Sequence, residues 1–415
     1  LAALAALANL TQSIVVDLRM VPNQPLYFRD ESWDAKTEDE ILAYSFNKQM
    51  VTGDDTWAVL LPMVKSAVRA MDTVQNFVST LPGGLVINDF VVAGASKRGW
   101  TTWLTAVYDR GLPVGQQRVR AIIPLVIDVL NMDEQMRHHF SAYGFYSSAI
   151  QDYVNKNVFD RLDTPEGQHL LTLVDPFEYS DRLTMPKYIV NSSGDQFFLP
   201  DSSQFYYHEI PGDNYLRYVP NTDHTLGLLS GDLSSIWPLA IFYFSVVYDF
   251  HRPHYSWTIQ ADGSIVIQTD TNDVPSSVKL YQAHVNKATG RDFRLEKIGQ
   301  AWSWTALSSV GDGVYVAQVP EPAEGWTGFF VELIYDYNVG FNYYFTTEIK
   351  VIPDYLPFIC DFDRDGDVDI EDLGVMAGQW LAEDGYPADV YPRRGDGAVN
   401  LQDFSIFMRN WTAGD

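Results

Sequence analysis

Short apolar runs alternate with longer helical patterns up to about residue 250 of the 415-residue chain, and this alternation limits the fold more than any other feature. The runs that predict strands are residues 13–21, 89–96, 120–128, 186–193 and 214–221. Between residues 57 and 78, apolar residues recur every three or four positions, which predicts a buried crossover helix. Strands that alternate with such helices predict an α/β fold with a mostly parallel sheet covered on both faces.

The pattern changes after residue 254. Short segments of alternating apolar and polar residues, separated by Gly, Pro and Asp, continue to about residue 357 and predict an antiparallel β-sandwich of the immunoglobulin or fibronectin III kind. Pro353 and Pro357 mark a linker, and an acidic tail begins at Cys360. We therefore expect three domains: an α/β domain at 1–251, a β-sandwich at 252–357 and a small α-helical domain at 358–415.

The charge balance excludes several partners. The chain has 54 Asp or Glu against 28 Lys or Arg, a net charge of −26, so nucleic acid and anionic membrane surfaces would repel it. The opening LAALAALANL is too short to span a bilayer, and it predicts the end of a helix instead of a membrane insertion. Cys360 is the one cysteine, which excludes an internal disulfide and a thiolate metal site.

The tail contains a twelve-residue loop that suits calcium. From Asp361 to Asp372, acidic residues occupy positions 1, 3, 5, 7, 9 and 12, and Gly366 occupies position 6. Calcium prefers carboxylate oxygens on alternate residues, a glycine at the sharp turn and an acid that closes the site from the next helix. The alternative is a solvated acidic turn, which seven matches at fixed offsets disfavour.

A second copy of this pattern follows 31 residues later, where residues 399–411 align with residues 368–380. Its second half is intact, but counting back places Pro392 and Arg394 at positions 1 and 3, unless Asp389 serves after an insertion. We expect one complete calcium site and one incomplete one. The calcium ligands predicted in the two copies are Asp361, Asp363, Asp365, Asp367, Asp369, Asp372, Asp396, Asn400 and Asp403.

Two short loop-helix repeats at the end of an acidic chain resemble a dockerin. The resemblance implies a calcium-folded tether that binds a cohesin-type scaffold or cell-surface protein, with the helices starting near Ile370 and Leu401 as the partner surface. It also implies a secreted, extracellular or periplasmic protein. The alternative is a calcium-stabilised cap without a partner.

The run VVAGASKRGW places Ser96 between a buried strand and a helix. Gly94 and Gly99 provide the small residues that a tight strand-to-helix turn needs if the serine is to project its hydroxyl. The run is a variant of G-x-S-x-G, because Arg98 stands where the second glycine is expected. A serine at this kind of turn can alternatively be a helix N-cap.

A nucleophilic serine needs a base and an orienting acid, and both follow later strands. Asp195 comes after the strand at 186–193, and His224 comes after the strand at 214–221. The order Ser96, Asp195, His224 matches a hydrolase triad, although Asp128 or Asp223 could orient His224 instead.

Two cations flank the serine. Lys97 and Arg98 suit either an anionic substrate such as a uronate or a developing oxyanion, and the backbone N–H of Lys97 is the predicted oxyanion donor.

At these motifs the chain resembles the PhoPQ-activated pathogenicity-related family. The similar segments are PNQPL (22–26), TEDEILAYSF (37–46), RAMDTVQ (69–75), GASKRGWTTW (94–103), LVIDVLNM (125–132), VDPFEY (174–179), GDQFFLPDSS (194–203), PNTDHTL (220–226), RDFRLEKIG (291–299), GWTGFFVEL (325–333) and FTTEIKVIPDYLP (345–357). The resemblance implies a secreted or periplasmic α/β-hydrolase domain followed by a β-sandwich. The strand that supplies the second oxyanion donor should lie before Leu1, so we expect a hydrolase domain truncated at its N-terminus.

The sequence therefore predicts a serine hydrolase that forms an acyl-enzyme and needs no cofactor for catalysis. The tether favours a carbohydrate esterase, and the segment around Ser96 is locally similar to esterases that act on glucuronate esters. A serine peptidase is one alternative. Another is an inert hydrolase fold that displays or binds carbohydrate, with candidate stacking residues Trp302, Trp304, Trp326, Tyr337, Tyr343 and Tyr344.

Overall fold

The structure is a computed structural model that describes residues 2–31, 34–228, 235, 237–337, 341–363, 367–382, 387–390 and 397–411. Asp365 and Asp396, two of the predicted calcium ligands, lie outside these residues, as do Pro392 and Arg394. None of the helices in the described part of the chain combines the length and the apolar character that crossing a bilayer demands.

A parallel sheet forms the centre of the first 250 residues, as the alternating pattern predicts. In the described ranges its strands are β1 (Phe90–Ala95), β2 (Val119–Leu125), β3 (Lys187–Ser192) and β4 (Asn214–Val219), paired in that order. All six residues of β3 are buried, and five of the six in β4 are. Near-continuous burial of this kind is expected of parallel strands covered on both faces. The prediction of a buried strand before Ser96 is wrong, because β1 pairs along one edge only in the described residues and has four partly buried and two exposed residues.

The strand predicted at residues 13–21 is wrong. The segment forms no strand, and the apolar side chains of Ile14, Val16 and Leu18 are 47%, 53% and 45% exposed. A short apolar run suggested a strand, but pairing requires a neighbour, and among the described residues β1 is hydrogen-bonded along one edge only, to β2.

Helices pack around this sheet. The helix predicted from the spacing at 57–78 is α3, and it buries Leu60, Met63, Val64, Met71 and Val78. The α-helices of the described chain are α1 (Ala2–Thr11), α2 (Glu38–Thr52), α3 (Leu60–Ser79), α4 (Lys97–Arg110), α5 (Met132–Tyr143), α6 (Gln151–Val154), α7 (Pro165–Val174), α8 (Trp237–Val247), α9 (Leu295–Ile298), α10 (Ile370–Gly378) and α11 (Leu401–Asn410).

Antiparallel strands follow, as the period-two segments predict. In the described residues, one sheet has the order β11-β10-β7-β8 with β12 paired to β10, and another has the order β5-β6-β9. Their bounds are β5 (Tyr255–Ile259), β6 (Ile265–Thr269), β7 (Ser277–Val285), β8 (Ser303–Ala306), β9 (Val314–Ala317), β10 (Trp326–Tyr337), β11 (Phe341–Thr346) and β12 (Lys350–Ile352). The domain boundaries after residues 251 and 357 stay predictions.

Strand β11 packs against the parallel sheet. The hydroxyl of Tyr188 on β3 donates to the carbonyl oxygen of Tyr344 at 2.7 Å, and the N–H of Tyr218 on β4 donates to Oγ1 of Thr346 at 3.0 Å. The buried side chains of both antiparallel sheets join the hydrophobic core of the parallel sheet. The antiparallel part is therefore a structural support for the strands that lead to Asp195 and His224.

The C-terminal segment has a small core of its own, formed by Cys360, Val368, Met376, Ala388, Val390, Val399 and Phe407. It is joined to α5 by the linker, where the N–H of Phe358 donates to the carbonyl oxygen of Ser141 at 2.9 Å. Separate cores allow the two parts to unfold separately.

Candidate active site

Ser96 lies at a sharp turn between β1 and α4. Its backbone has φ 55° and ψ −131°, a conformation that costs free energy for any residue with a side chain. The turn is held because the N–H of Ser96 donates to the carbonyl oxygen of Leu125 at 2.9 Å. A strained turn of this type lifts the serine hydroxyl above the end of the sheet.

Two glycines allow the strand and the helix to approach each other. A Cβ on Gly94 would lie 2.4 Å from the carbonyl oxygen of Arg98, and a Cβ on Gly99 would lie 2.6 Å from Cγ2 of Ile127. Both distances are far shorter than van der Waals contact allows. Gly99 thus meets the packing requirement, which explains why an arginine is tolerated at position 98.

Asp195, His224 and Ser96 form one hydrogen-bonded chain. Nδ1 of His224 lies 2.8 Å and 2.9 Å from the two carboxylate oxygens of Asp195, and Nε2 lies 2.8 Å from Oγ of Ser96. An ionised carboxylate only accepts, so the proton belongs on Nδ1, and Nε2 is left to accept from the serine hydroxyl. Asp195 is buried and the side chain of His224 is 15% exposed, which lets a substrate reach the imidazole.

The loop after β3 orients both members of the Asp195–His224 pair. The N–H of Phe197 donates to a carboxylate oxygen of Asp195 at 2.8 Å, and Oε1 of Gln196 accepts the backbone N–H of His224 at 3.0 Å. These bonds hold the Asp195 carboxylate and the backbone of His224 from the same three-residue segment.

The two competing acids have other partners. Asp128 accepts hydrogen bonds from the hydroxyls of Tyr206 and Tyr218, both at 2.6 Å, and burial raises its pKa to about 7. Asp223 accepts the N–H of Thr225 at 2.9 Å and its hydroxyl at 2.6 Å, so its carboxylate stabilises its own loop. Of the three acids that the sequence left open, Asp195 is the one on Nδ1 of His224.

Lys97 and Arg98 are brought beside Ser96, but acidic residues already pair with them. Nζ of Lys97 lies 2.7 Å from Glu38 and 3.0 Å from Asp39, and the guanidinium of Arg98 makes two contacts with Glu38. Burial raises the pKa of Glu38, but the hydrogen bonds from Arg98 and Lys97 outweigh it and hold the pKa at about 2. The sequence analysis missed Glu38 and Asp39. They lie in the first turn of α2, about 60 residues before Ser96, and nothing in that turn indicates that α2 packs against α4.

The backbone N–H of Lys97 remains the candidate oxyanion donor. Lys97 is the first residue of α4, and N–H groups of a first helical turn have no acceptor within the helix. The positive end of the helix dipole lies there as well, which favours a developing negative charge.

In the first tail repeat, carboxylate oxygens of Asp361, Asp363 and Asp372 lie within 4.8 Å of one another. Asp372 is fully buried and accepts the backbone N–H groups of Phe362, Asp363 and Asp369. These N–H groups fold the loop around the Asp372 carboxylate. Carboxylate oxygens are the ligand atoms that calcium prefers. Asp367 and Asp369, also described and also predicted ligands, lie outside this group.

The second repeat has the same backbone framework. Oδ1 of Asp403 accepts the N–H of Val390 at 2.8 Å, and Oδ2 accepts the N–H of Asn400 at 2.8 Å. Val390 therefore corresponds to Phe362, which makes Asp389 the counterpart of Asp361. This correspondence favours the insertion that the sequence left as an alternative.

The aromatic residues proposed for sugar stacking are mostly buried. Trp302, Trp326 and Tyr343 are at most 4% exposed, whereas Trp304 is 54% exposed and has Nζ of Lys279 5.0 Å from its ring centroid. The side chain of Tyr337 lies outside the described part of the chain, and Tyr344 is partly buried. A continuous stacking surface is not formed by the described members of this set.

A serine on a strained strand-to-helix turn, with an acid and a histidine after later parallel strands, defines an α/β-hydrolase fold. The chain belongs to the PhoPQ-activated pathogenicity-related protein family, whose model matches residues 2–294. It is 36% identical over 368 residues to autocrine proliferation repressor protein A of Dictyostelium discoideum, with 83% of this chain and 72% of that protein covered.

Similar solved structures include acetyl xylan esterase 1 from Thermoanaerobacterium sp., with 16% identity, a TM-score of 0.30 and coverage of 45% of this chain and 56% of that one. Est1E from Butyrivibrio proteoclasticus has 16% identity, a TM-score of 0.29 and coverage of 52% and 86%. Likenesses this weak add nothing to the assignment, which rests on the topology and the family match.

Proposed function

We propose that the protein is a secreted serine hydrolase, and specifically an esterase that acts on carbohydrate-linked esters. The observation that carries the proposal is the hydrogen-bonded chain from Asp195 through His224 to Ser96 on the strained turn. A serine hydroxyl is a weak nucleophile unless a neighbouring base removes its proton, and Nε2 of His224 is within reach at 2.8 Å.

The reaction has two halves. Oγ of Ser96 attacks the ester carbonyl carbon while Nε2 of His224 takes the hydroxyl proton, and the N–H of Lys97 stabilises the oxyanion. When the C–O bond to the alcohol breaks, the electron pair leaves with the alcohol oxygen, which takes the proton from Nε2. Water then attacks the acyl-enzyme with His224 again as the base, and the acid and free Ser96 are released. Asp195 stabilises the imidazolium in both halves.

The charges near Ser96 favour a neutral ester over an anionic one. Glu38 and Asp39 already neutralise Lys97 and Arg98, so a free uronate would have to displace a carboxylate to reach either cation. An esterified uronate or an acetylated sugar carries no such charge. The name of the Dictyostelium relative describes repression of proliferation and specifies no reaction.

Substrate turnover and active-site labelling test the proposal. The protein should hydrolyse p-nitrophenyl acetate, acetylated sugars or a methyl glucuronate ester, and a fluorophosphonate should label Ser96. Ser96→Ala should abolish both, while the matched control Ser79→Ala, at the exposed end of α3, should retain both. Equal turnover in Ser96→Ala would contradict catalysis by Ser96, and no labelling of the wild type would favour an inert display protein. Faster cleavage of peptides than of esters would favour a peptidase.

For the tail, we propose a dockerin-like module that binds calcium and attaches the enzyme to a cohesin-type protein. The cluster of Asp361, Asp363 and Asp372 supports the calcium site, and the exposed side chains of Ile370 and Leu401, at 59% and 72%, support a partner surface at the two equivalent helix starts. Calorimetric titration with Ca²⁺ should detect at least one site, weakened in Asp363→Asn and unchanged in the control Glu321→Gln, an exposed acid outside the tail. Absence of calcium binding would contradict the proposal.

A further inference from the structure

Two aromatic side chains lie beside the imidazole of His224, and their own ring centroids are 6.3 Å apart. The ring of Phe197 lies 4.2 Å from the imidazole centroid at an interplanar angle of 34°, and the ring of Phe198 lies 6.2 Å away at 40°. Both side chains pack against the main hydrophobic core and are partly exposed. Phe197 is held in place because its N–H donates to Asp195 at 2.8 Å.

The position of these rings relative to the reaction is set by His224. Nε2 takes the proton from Ser96 and must deliver it to the oxygen of the departing alcohol. That oxygen therefore has to approach Nε2, which places the alcohol on the imidazole side of the acyl carbon. Side chains that contact the imidazole are consequently closer to the alcohol part of the ester than to the acyl part.

We propose that Phe197 and Phe198 form the subsite for the alcohol of the ester, an inference that rests on the proposed esterase activity. Two partly exposed aromatic side chains beside the catalytic imidazole favour a partner that offers a flat apolar face of its own. The chemistry that fits is a neutral cyclic alcohol, either the C–H face of a sugar ring or an aryl ring. Small alcohols such as ethanol offer too little surface to use both rings.

This assignment separates the two halves of the reaction. The alcohol is present while Ser96 is acylated and has left before water attacks the acyl-enzyme. A residue that contacts only the alcohol therefore changes the rate of acylation and leaves the rate of deacylation unchanged. A residue that merely positions His224 changes both, because the same imidazole is the base in each half.

The experiment uses one acyl group and three alcohols: ethyl acetate, benzyl acetate and a methyl 6-O-acetyl-glucoside. Phe197→Leu and Phe198→Leu are compared with the wild type and with Phe77→Leu, an exposed phenylalanine on α3. We expect kcat/KM for the cyclic alcohols to fall about tenfold relative to ethyl acetate in the first two variants, with no change in Phe77→Leu. A loss confined to the glucoside identifies a sugar subsite, and a loss confined to the benzyl ester identifies an aryl subsite.

Pre-steady-state kinetics with p-nitrophenyl acetate gives the deacylation rate, which should be the same in the wild type, Phe198→Leu and Phe77→Leu. Equal loss for all three acetates, or slower deacylation in Phe198→Leu, overturns the subsite and leaves the esterase proposal intact. Phe198→Leu keeps the test decisive if Phe197→Leu perturbs Asp195, since its ring lies farther from the imidazole. Absence of any Ser96-dependent turnover in the wild type overturns both proposals.

Discussion

Glu38 and Arg98 are 60 residues apart in the chain, and their side chains form a two-point ion pair on the helix that begins beside Ser96. The second contact joins Oε1 of Glu38 to a guanidinium nitrogen at 3.2 Å. Because Glu38 is the first residue of α2 and Arg98 lies in the first turn of α4, the pair attaches one helix start to the other. Lys97 adds a third contact, at 2.7 Å from Glu38.

Glu38→Gln should lower the free energy of unfolding by about 1 kcal/mol. Both side chains of the Glu38–Arg98 pair are more than a third exposed, at 40% and 36%, so water screens much of the attraction. Lys97, however, is buried and would retain only Asp39. A double-mutant cycle with Arg98→Gln, followed by urea unfolding, should give a coupling energy of about 0.5–1 kcal/mol. Additive effects of the two substitutions would show that the pair contributes nothing.

Asp195→Asn should lower kcat about a thousandfold or more without changing the fold. The amide would donate to Nδ1 of His224 in place of accepting from it, which moves the imidazole proton to Nε2 and blocks removal of the proton from Ser96. Asp128→Asn and Asp223→Asn are the matched controls, since their carboxylates serve tyrosine hydroxyls and a loop threonine. If either control lost as much activity as Asp195→Asn, the acid replaced in that control would be the one that orients the His224 imidazole.

The order and positions of the catalytic candidates could be predicted from the sequence, because each follows its own strand and parallel strands bring their carboxyl ends to one edge. The sequence could not predict that Asp195, and not Asp128, pairs with His224. Both acids end strands of similar composition, and only the packing of Tyr206 and Tyr218 onto Asp128 separates them. Glu38 was missed for a related reason: its place beside Arg98 depends on tertiary packing. The false strand at 13–21 shows the same limit, since an apolar run does not by itself provide a neighbouring strand to pair with.

Asp128 should make the protein less stable as the pH rises from about 4 to about 7. Burial raises its pKa from 3.8 to about 7, against the lowering effect of the Tyr206 and Tyr218 hydroxyls, and the nearby charge of Asp195 adds to the rise. Between these two values the folded protein keeps a proton that the unfolded chain releases, so the stabilisation is complete below about pH 4 and is lost as the pH passes the folded pKa.

Asp128→Asn removes this titration. In urea unfolding at pH 4.5, 5.5, 6.5 and 7.5, the stability of the variant relative to the wild type should increase with pH, at no more than about 1.4 kcal/mol per pH unit. The difference between the two proteins cancels the titration of every other group that the substitution leaves unperturbed. A constant difference across this range would mean that Asp128 is ionised in the folded protein throughout.

Calcium removal should unfold the tail and leave the hydrolase part folded. Asp361, Asp363 and Asp372 hold their carboxylates within 4.8 Å of one another, and like charges at this separation repel unless a cation lies between them. The tail core around Val368 and Phe407 is separate from the main core, so its loss need not spread. Differential scanning calorimetry should therefore show two transitions, of which EDTA lowers one and leaves the other in place. Asp363→Asn should reproduce the effect of EDTA in the presence of calcium, whereas a joint shift of both transitions would show that the tail and the hydrolase part unfold as one unit.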